Sequence, residues 1–233
     1  LNLFTGPLYF LYKIISTINL CKELKATYPE YNFVPIYWMA TEDHDFEEIN
    51  YFNFNRIKFQ FNKEVSGPVG RLSTEGLEAV FEHFKQHLVH GDNAKQLVSW
   101  FENAYLKHDN LADATRYLAN ELFKDQGLVI VDGDDTALKQ LFVPHIKEEL
   151  QNQSSIQAVE ESFPILKDYL IQVNPRDINL FYIENGLRER IVFEDNVYKV
   201  LHTDIQFTQE EISHLVDTHP EKFSPNVILR PLY

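Results

Sequence analysis

The sequence predicts an α/β fold built on a parallel sheet, and three observations predict it. Residues 33–40 and 128–131 are short apolar runs of strand length that do not alternate with polar residues, the pattern of strands buried in a parallel sheet. Each run empties into an acidic cluster, Thr41-Glu42-Asp43-His44-Asp45 in one case and Asp132-Gly133-Asp134-Asp135 in the other. Ligands of open α/β sheets sit outside the carboxyl ends of the strands, where such clusters stand. Helical patterns precede and separate the two runs.

The elements follow in order. Thr5 can cap a helix, Gly6 allows a tight turn and Pro7 suits the first helical position. Leu8, Leu11, Tyr12, Ile15 and Ile18 recur at helical spacing and mark a core face, and the helix stops before Pro29. After the first strand, residues 51–62 alternate Phe52, Phe54, Phe59 and Phe61 with amides, which reads as a hairpin. Three helices are expected near 76–89, 93–107 and 111–126, then the second strand and a helix near 136–150. Residues 154–173 read as helical with a break at Pro164. Asn185-Gly186 joins strands 179–183 and 188–193, and Asp195-Asn196 turns into a strand at 198–201. Thr208-Gln209-Glu210-Glu211 is a capping box opening a short helix. Residues 227–230 read as a final strand. The expected organisation is a core at 1–152 with a helical insertion at about 63–110, an α/β insertion at 153–223, and a return to the core at 224–233.

The chain carries 21 basic and 35 acidic residues, a formal net charge of −14. That field repels nucleic acid and anionic membranes, so neither is an expected partner. A single cysteine, Cys21, forms no internal disulfide, fits a reducing cytoplasmic compartment and reads as a small core residue rather than a nucleophile. No apolar run approaches bilayer-spanning length. Residue 1 is Leu and the last residues are extended in pattern, so the chain reads as an internal piece of a longer protein.

Glu42, Asp43, His44 and Asp45 form the sharpest constellation. A histidine carries protons near neutral pH, and a flanking carboxylate orients it. In an extended segment Asp43 and Asp45 would share one face and Glu42 and His44 the other. An acidic helix N-terminus at Asp45, Glu47 and Glu48 accounts for the same residues. Thr5 and Gly6 at a helix start, with Tyr9 and Lys13 one turn apart, could hold an anion; an ordinary capped helix is the alternative. Arg71, after Gly67 and Gly70, could clamp a carboxylate or phosphate, or could simply close a turn. Asp132, Asp134 and Asp135 read as ribose or Mg²⁺ ligands or as helix caps. Arg188 and Arg190 share a strand face and read as solvated. His83 and His87 lack the glutamate of a zinc motif, and no metal is expected in the site.

Leu3-Phe4-Thr5-Gly6-Pro7-Leu8-Tyr9 with Lys13, then Pro35 through Glu48 with its Thr-Glu-Asp-His-Asp-Phe-Glu-Glu stretch, then Val69-Gly70-Arg71, and lastly Phe223-Ser224-Pro225-Asn226-Val227-Ile228-Leu229-Arg230-Pro231 resemble the bacillithiol biosynthesis cysteine-adding enzyme family. The resemblance spans the whole chain. It implies a Rossmann-like core related to nucleotidyl-transferring ligases, interrupted by connective-peptide insertions. The implied reaction joins the carboxyl of L-cysteine to the amine of glucosaminyl malate. ATP with Mg²⁺ is the candidate cofactor, and homodimerisation through a downstream coiled coil is expected of the longer chain. His44 with Asp43 or Asp45 would handle the amine proton, with Thr5, Gly6, Lys13 and Arg71 on an anionic group. A non-catalytic relative that binds a sugar acid or nucleotide, and a metal-dependent hydrolase using Glu42, Asp43 and His44, are the alternative readings.

Overall fold

In the computed structural model, which describes residues 1–233, the chain forms two units, Leu1–Gly133 and Asp134–Tyr233. The first begins with a 3-10 turn, Leu3–Thr5, and helix α1, Tyr9–Thr27. Ile14 and Ile18 of α1 are buried, with Phe10 and Leu11 partly so, whereas Leu8, Tyr12 and Ile15 are exposed. The buried stripe is thus narrower than the expected one, because α1 meets only a small apolar surface made by Phe123, Leu122, Leu128 and Tyr37.

Strand β1 is Ile36–Met39; helix α2, Phe46–Ile49, and the hairpin of β2, Tyr51–Phe54, and β3, Ile57–Gln60, follow. The hairpin turn places Asn55 and Arg56 in the left-handed region, as a type I′ connection requires. Helices α3, Leu77–Lys85, α4, Asp92–Tyr105, and α5, Leu111–Phe123, lead to β4, Val129–Asp132. The Asn110 side chain caps α5 by accepting from the Asp113 N–H at 2.8 Å. Strands β1 and β4 pair in parallel, from Ile36 against Val129 to Met39 against Asp132. They form a two-stranded sheet, so Ile36 and Val129 are exposed and burial rises only toward Met39. That departs from the expected double-sided burial.

The alternating phenylalanines of the hairpin supply the core of this unit. Phe52 stacks on Phe59 at 5.1 Å and meets Phe84 edge-on at 5.2 Å, while Phe81 stacks on Phe101 at 5.3 Å. Offset and edge-on rings of this kind add to the stabilisation from burial alone.

The second unit begins with α6, Thr136–Asn152, whose first turn is capped by Asp135, and α7, Ser154–Ser162. Strands β5, Leu180–Glu184, β6, Leu187–Glu194, β7, Val197–Val200, and β8, Gln206–Phe207, then helix α8, Gln209–Thr218, and strand β9, Phe223–Pro225, complete it. The antiparallel sheet runs β8-β7-β6-β5-β9. Helix α6 buries Phe142, Ile146 and Leu150 in the same core as Leu180, Tyr182, Ile191, Ile212 and Val216.

Four expectations are corrected here. The division between the units falls at 133/134, not after residue 152, because the apolar side of α6 belongs to this sheet. Residues 227–230 are not a strand: Asn226 Oδ1 accepts from the Ile228 and Leu229 N–H groups and curls the chain into a 3-10 turn, Arg230–Leu232. The segment that pairs is β9, against β5 of the second unit. Helix α7 ends at Ser162, close to the break expected at Pro164, but residues 165–173 do not resume a helix. Arg188 is buried rather than solvated, its guanidinium 3.8 Å from the Phe181 ring centroid and its Nη2 donating to Ser224 Oγ at 3.4 Å.

Candidate functional site

The parallel register sets Met39 beside Asp132, so the chain segments leaving β1 and β4 emerge at one sheet edge. There Thr41 Oγ1 donates to Asp132 Oδ1. The Gly133 N–H donates to the Met39 carbonyl at 3.1 Å, and a Cβ at Gly133 would stand 3.1 Å from that oxygen. The loop at 67–71 lies against the same edge. The Val69 N–H donates to the Asp43 carbonyl at 2.7 Å and the Gly70 N–H to the Thr41 carbonyl at 2.8 Å. Arg71, exposed, follows directly.

Residues 41–45 turn rather than run extended: the Asp43 N–H reaches the Ala40 carbonyl at 3.3 Å and the Phe46 N–H the His44 carbonyl at 2.9 Å. The turn replaces the expected alternation of faces. His44 Nδ1 lies 3.5 Å from Asp43 Oδ1 and its Nε2 3.8 Å from Asp45 Oδ1, so one imidazole is flanked by both carboxylates. Asp43 Oδ1 also accepts the His44 backbone N–H at 2.9 Å. Asp45 stands at the N-cap position of α2 with Glu47 and Glu48 in the first turn, so the acidic helix N-terminus is present, although Asp45 makes no side-chain capping bond. Glu42 is buried, 3% exposed, while Asp43 and His44 stand at the surface, and no three His, Cys, Asp or Glu side chains are grouped as metal ligands.

His44 and Asp45 line an open cleft of about 590 Å³ with Glu47, Glu48, Glu64 and Lys63. Four carboxylates against one lysine make its mouth electronegative, a field that draws in an ammonium group and repels a phosphate.

The residues expected to hold an anion are placed elsewhere in the first unit. Thr5 and Gly6 line a second cleft of about 480 Å³ with Phe52, Phe54, Phe84 and Leu97. Thr5 does not cap α1: its φ is 70°, and Leu8 takes the cap position without a side-chain bond. The cause is Phe4. Its ring packs 5.1 Å from Phe101 and 5.3 Å from Phe52, and its N–H donates to the Tyr105 hydroxyl at 2.8 Å. Burial pushes the Tyr105 phenol up to about 12, so it stays protonated. Anchoring Phe4 draws residues 4–6 through three consecutive positive φ values. At Gly6 a Cβ would collide with the Asn2 side chain. Tyr9 and Lys13 are exposed, with the Lys13 ammonium 4.8 Å from the Tyr9 ring centroid.

Comparison with known proteins decides the family. The model of the bacillithiol biosynthesis BshC N-terminal Rossmann-like domain matches residues 1–233. The chain belongs to the BshC family. A protein of Flavobacterium johnsoniae named "Putative cysteine ligase BshC" is 64% identical over 233 residues, which cover all of this chain and 44% of the relative. Proteins of the same name from Christiangramia forsetii and Staphylococcus haemolyticus are 56% and 32% identical; the matches cover 100% and 99% of this chain and 44% and 45% of those relatives. The chain therefore spans less than half the length of the BshC relatives it matches.

Within this BshC domain, two polar contributors escaped the sequence. Arg116 of α5 donates from Nη1 to the Ile130 carbonyl at 3.0 Å, and its Nη2 lies 3.7 Å from Asp132 Oδ2. It braces the carboxylate that receives the Thr41 hydroxyl. Lys63 lies in the His44 cleft, its Nζ donating to the Ser73 and Glu75 carbonyls at 3.4 and 3.3 Å. Neither sits in a motif; each reaches the site through a tertiary contact. No helix is long and apolar enough to cross a membrane.

Proposed function

We propose that this BshC-family chain forms the amine-handling part of a ligase that joins the carboxyl of L-cysteine to the amine of glucosaminyl malate, the last step of bacillithiol synthesis. The observation that carries the reading is the His44 imidazole held between Asp43 and Asp45 in an electronegative cleft. An amine enters such a cleft as its ammonium ion and cannot attack a carbonyl until it loses a proton. His44 takes that proton first, which frees the amine lone pair to attack the activated carboxyl as the activating group departs, and the two carboxylates stabilise the imidazolium produced. The relatives' name, a cysteine ligase, and the family's description, bacillithiol biosynthesis, support the ligase part of this reading.

ATP with Mg²⁺ would supply carboxyl activation. Lys13 and Arg71, both exposed cations, with the turn at Thr5 and Gly6, are the groups of this chain offered to an anion, whether phosphate or malate carboxylate. Homodimerisation of the longer protein through a coiled coil belongs to the same proposal. Incubation of the full-length protein with cysteine, glucosaminyl malate and ATP, followed by mass spectrometry, tests the reading. Bacillithiol formation supports it, and recovery of unchanged substrates from folded protein contradicts it.

A further inference from the structure

We propose that the second unit carries an oxyanion site between Arg176 and Arg190, a role beyond the ligase reading above. A cleft of about 420 Å³ opens there, with Gln172 and Asn174 at its sides and Ile178 and Phe181 among its apolar lining. Its lining includes two arginines and no acidic side chain, in a chain whose net charge is −14. Arginines on so acidic a protein ordinarily find carboxylates nearby; in this cleft the pair is accompanied by amides and apolar carbon instead.

Arg190 supplies the second observation. It lies on β6 opposite Phe181 of β5, and its Nε is buried with no hydrogen-bond partner. A buried charged donor left unsatisfied is costly, and a planar oxyanion that accepts from it removes the cost. The opposing side is held in place. Asn179 accepts the Arg176 N–H at 3.1 Å and donates to the Arg176 carbonyl at 2.6 Å. Asn179 is in turn fixed by buried Glu149, whose Oε1 accepts its N–H at 2.8 Å. Asn226 completes the clamp by donating to Asn179 Oδ1 at 2.7 Å. The Arg176 backbone is thus held by hydrogen bonds, and its exposed side chain lines the same cleft as Arg190 on the sheet.

The shared chemistry is a single carboxylate or phosphate group, bound bidentately by one guanidinium and flanked by the other. Calorimetric titration of the full-length protein at low salt, once with inorganic phosphate and once with succinate, separates the two sources. Binding of either anion that weakens roughly tenfold or more in Arg190→Gln or in Arg176→Gln supports the site and identifies the preferred group. Lys199→Gln, on β7 and already paired with Asp195 at 2.5 Å, serves as the control and leaves binding unchanged. Should Arg190→Gln fail to fold, exposed Arg176 still gives the answer. Binding of neither anion, or binding unchanged in both arginine variants, overturns the proposal.

Discussion

Gly70 lies against Thr41 so closely that a Cβ on the glycine would stand 2.5 Å from the Thr41 Cβ, while its N–H donates to the Thr41 carbonyl at 2.8 Å. The contact is between backbone and a buried β-branched residue, so neither side has a flexible end to move away. Gly70→Ala is expected to destabilise the chain by about 1–3 kcal/mol, the usual cost of overpacking. Urea unfolding measures this. An unchanged midpoint would show that the loop at 67–71 is not held against residues 41–45.

Thr41 also fixes the relation between the two strand ends through its hydroxyl on Asp132. Thr41→Val keeps the shape of the side chain, which is 1% exposed, and removes the donor. A hydrogen bond to a charged acceptor makes the expected loss about 1–3 kcal/mol, read from the same unfolding curves. Asp132→Asn in the Thr41→Val background should then cost less than it does alone, because the two residues act as one unit. Additive losses would contradict the pairing.

The second unit should respond to acid through Glu184. Hydrogen bonds from Lys222 and from the Tyr182 hydroxyl hold its carboxyl below the ordinary value of 4.5. A folded-state pKa below the unfolded one gives stability that is fully present above about that ordinary value and is lost as pH falls through the folded one. Lys222→Gln is therefore expected to be less stable than the unaltered chain at pH 7, with the gap closing as pH drops below 4.5. Unfolding midpoints across that range check the sign; a gap that widens in acid would refute it.

Much of this architecture was legible in the residues. The runs before Thr41 and Asp132 pair in parallel with their clusters at one edge, because strand length, apolar character and acidic exits are local properties. The Asn185-Gly186 turn and the Thr208 to Glu211 capping box also appear where the sequence puts them. What could not be read depends on tertiary contacts. Thr5 loses its capping role because the Phe4 ring is drawn into a core assembled from Phe52, Phe84 and Phe101. Arg188 carries no sequence mark of burial; the Phe181 ring and Ser224 make it so. Arg116 reaches Asp132 from a helix that nothing local ties to the strand end. Glu42 and Asp43 are adjacent in the chain, yet the turn buries the first and leaves the second at the surface.

Lys13 is exposed and its ammonium stands over the Tyr9 ring, so Lys13→Ala should leave stability nearly unchanged, within about 1 kcal/mol. If it meets an anionic substrate equally in ground and transition states, the full-length variant raises KM for that substrate while kcat holds. Steady-state kinetics with glucosaminyl malate and ATP varied separately identify which anion it serves. A fall in kcat with unchanged KM would remove Lys13 from a binding role.

The central claim is that His44, between Asp43 and Asp45, carries the amine proton. Its most direct test is the steady-state kinetics of full-length His44→Asn with cysteine, glucosaminyl malate and ATP. Asn keeps the size and polarity of the side chain but cannot accept the proton. The account predicts a folded enzyme with similar KM and a kcat lower by roughly 10²–10⁴-fold, the worth of a general base. A folded His44→Asn enzyme with near wild-type kcat would contradict it.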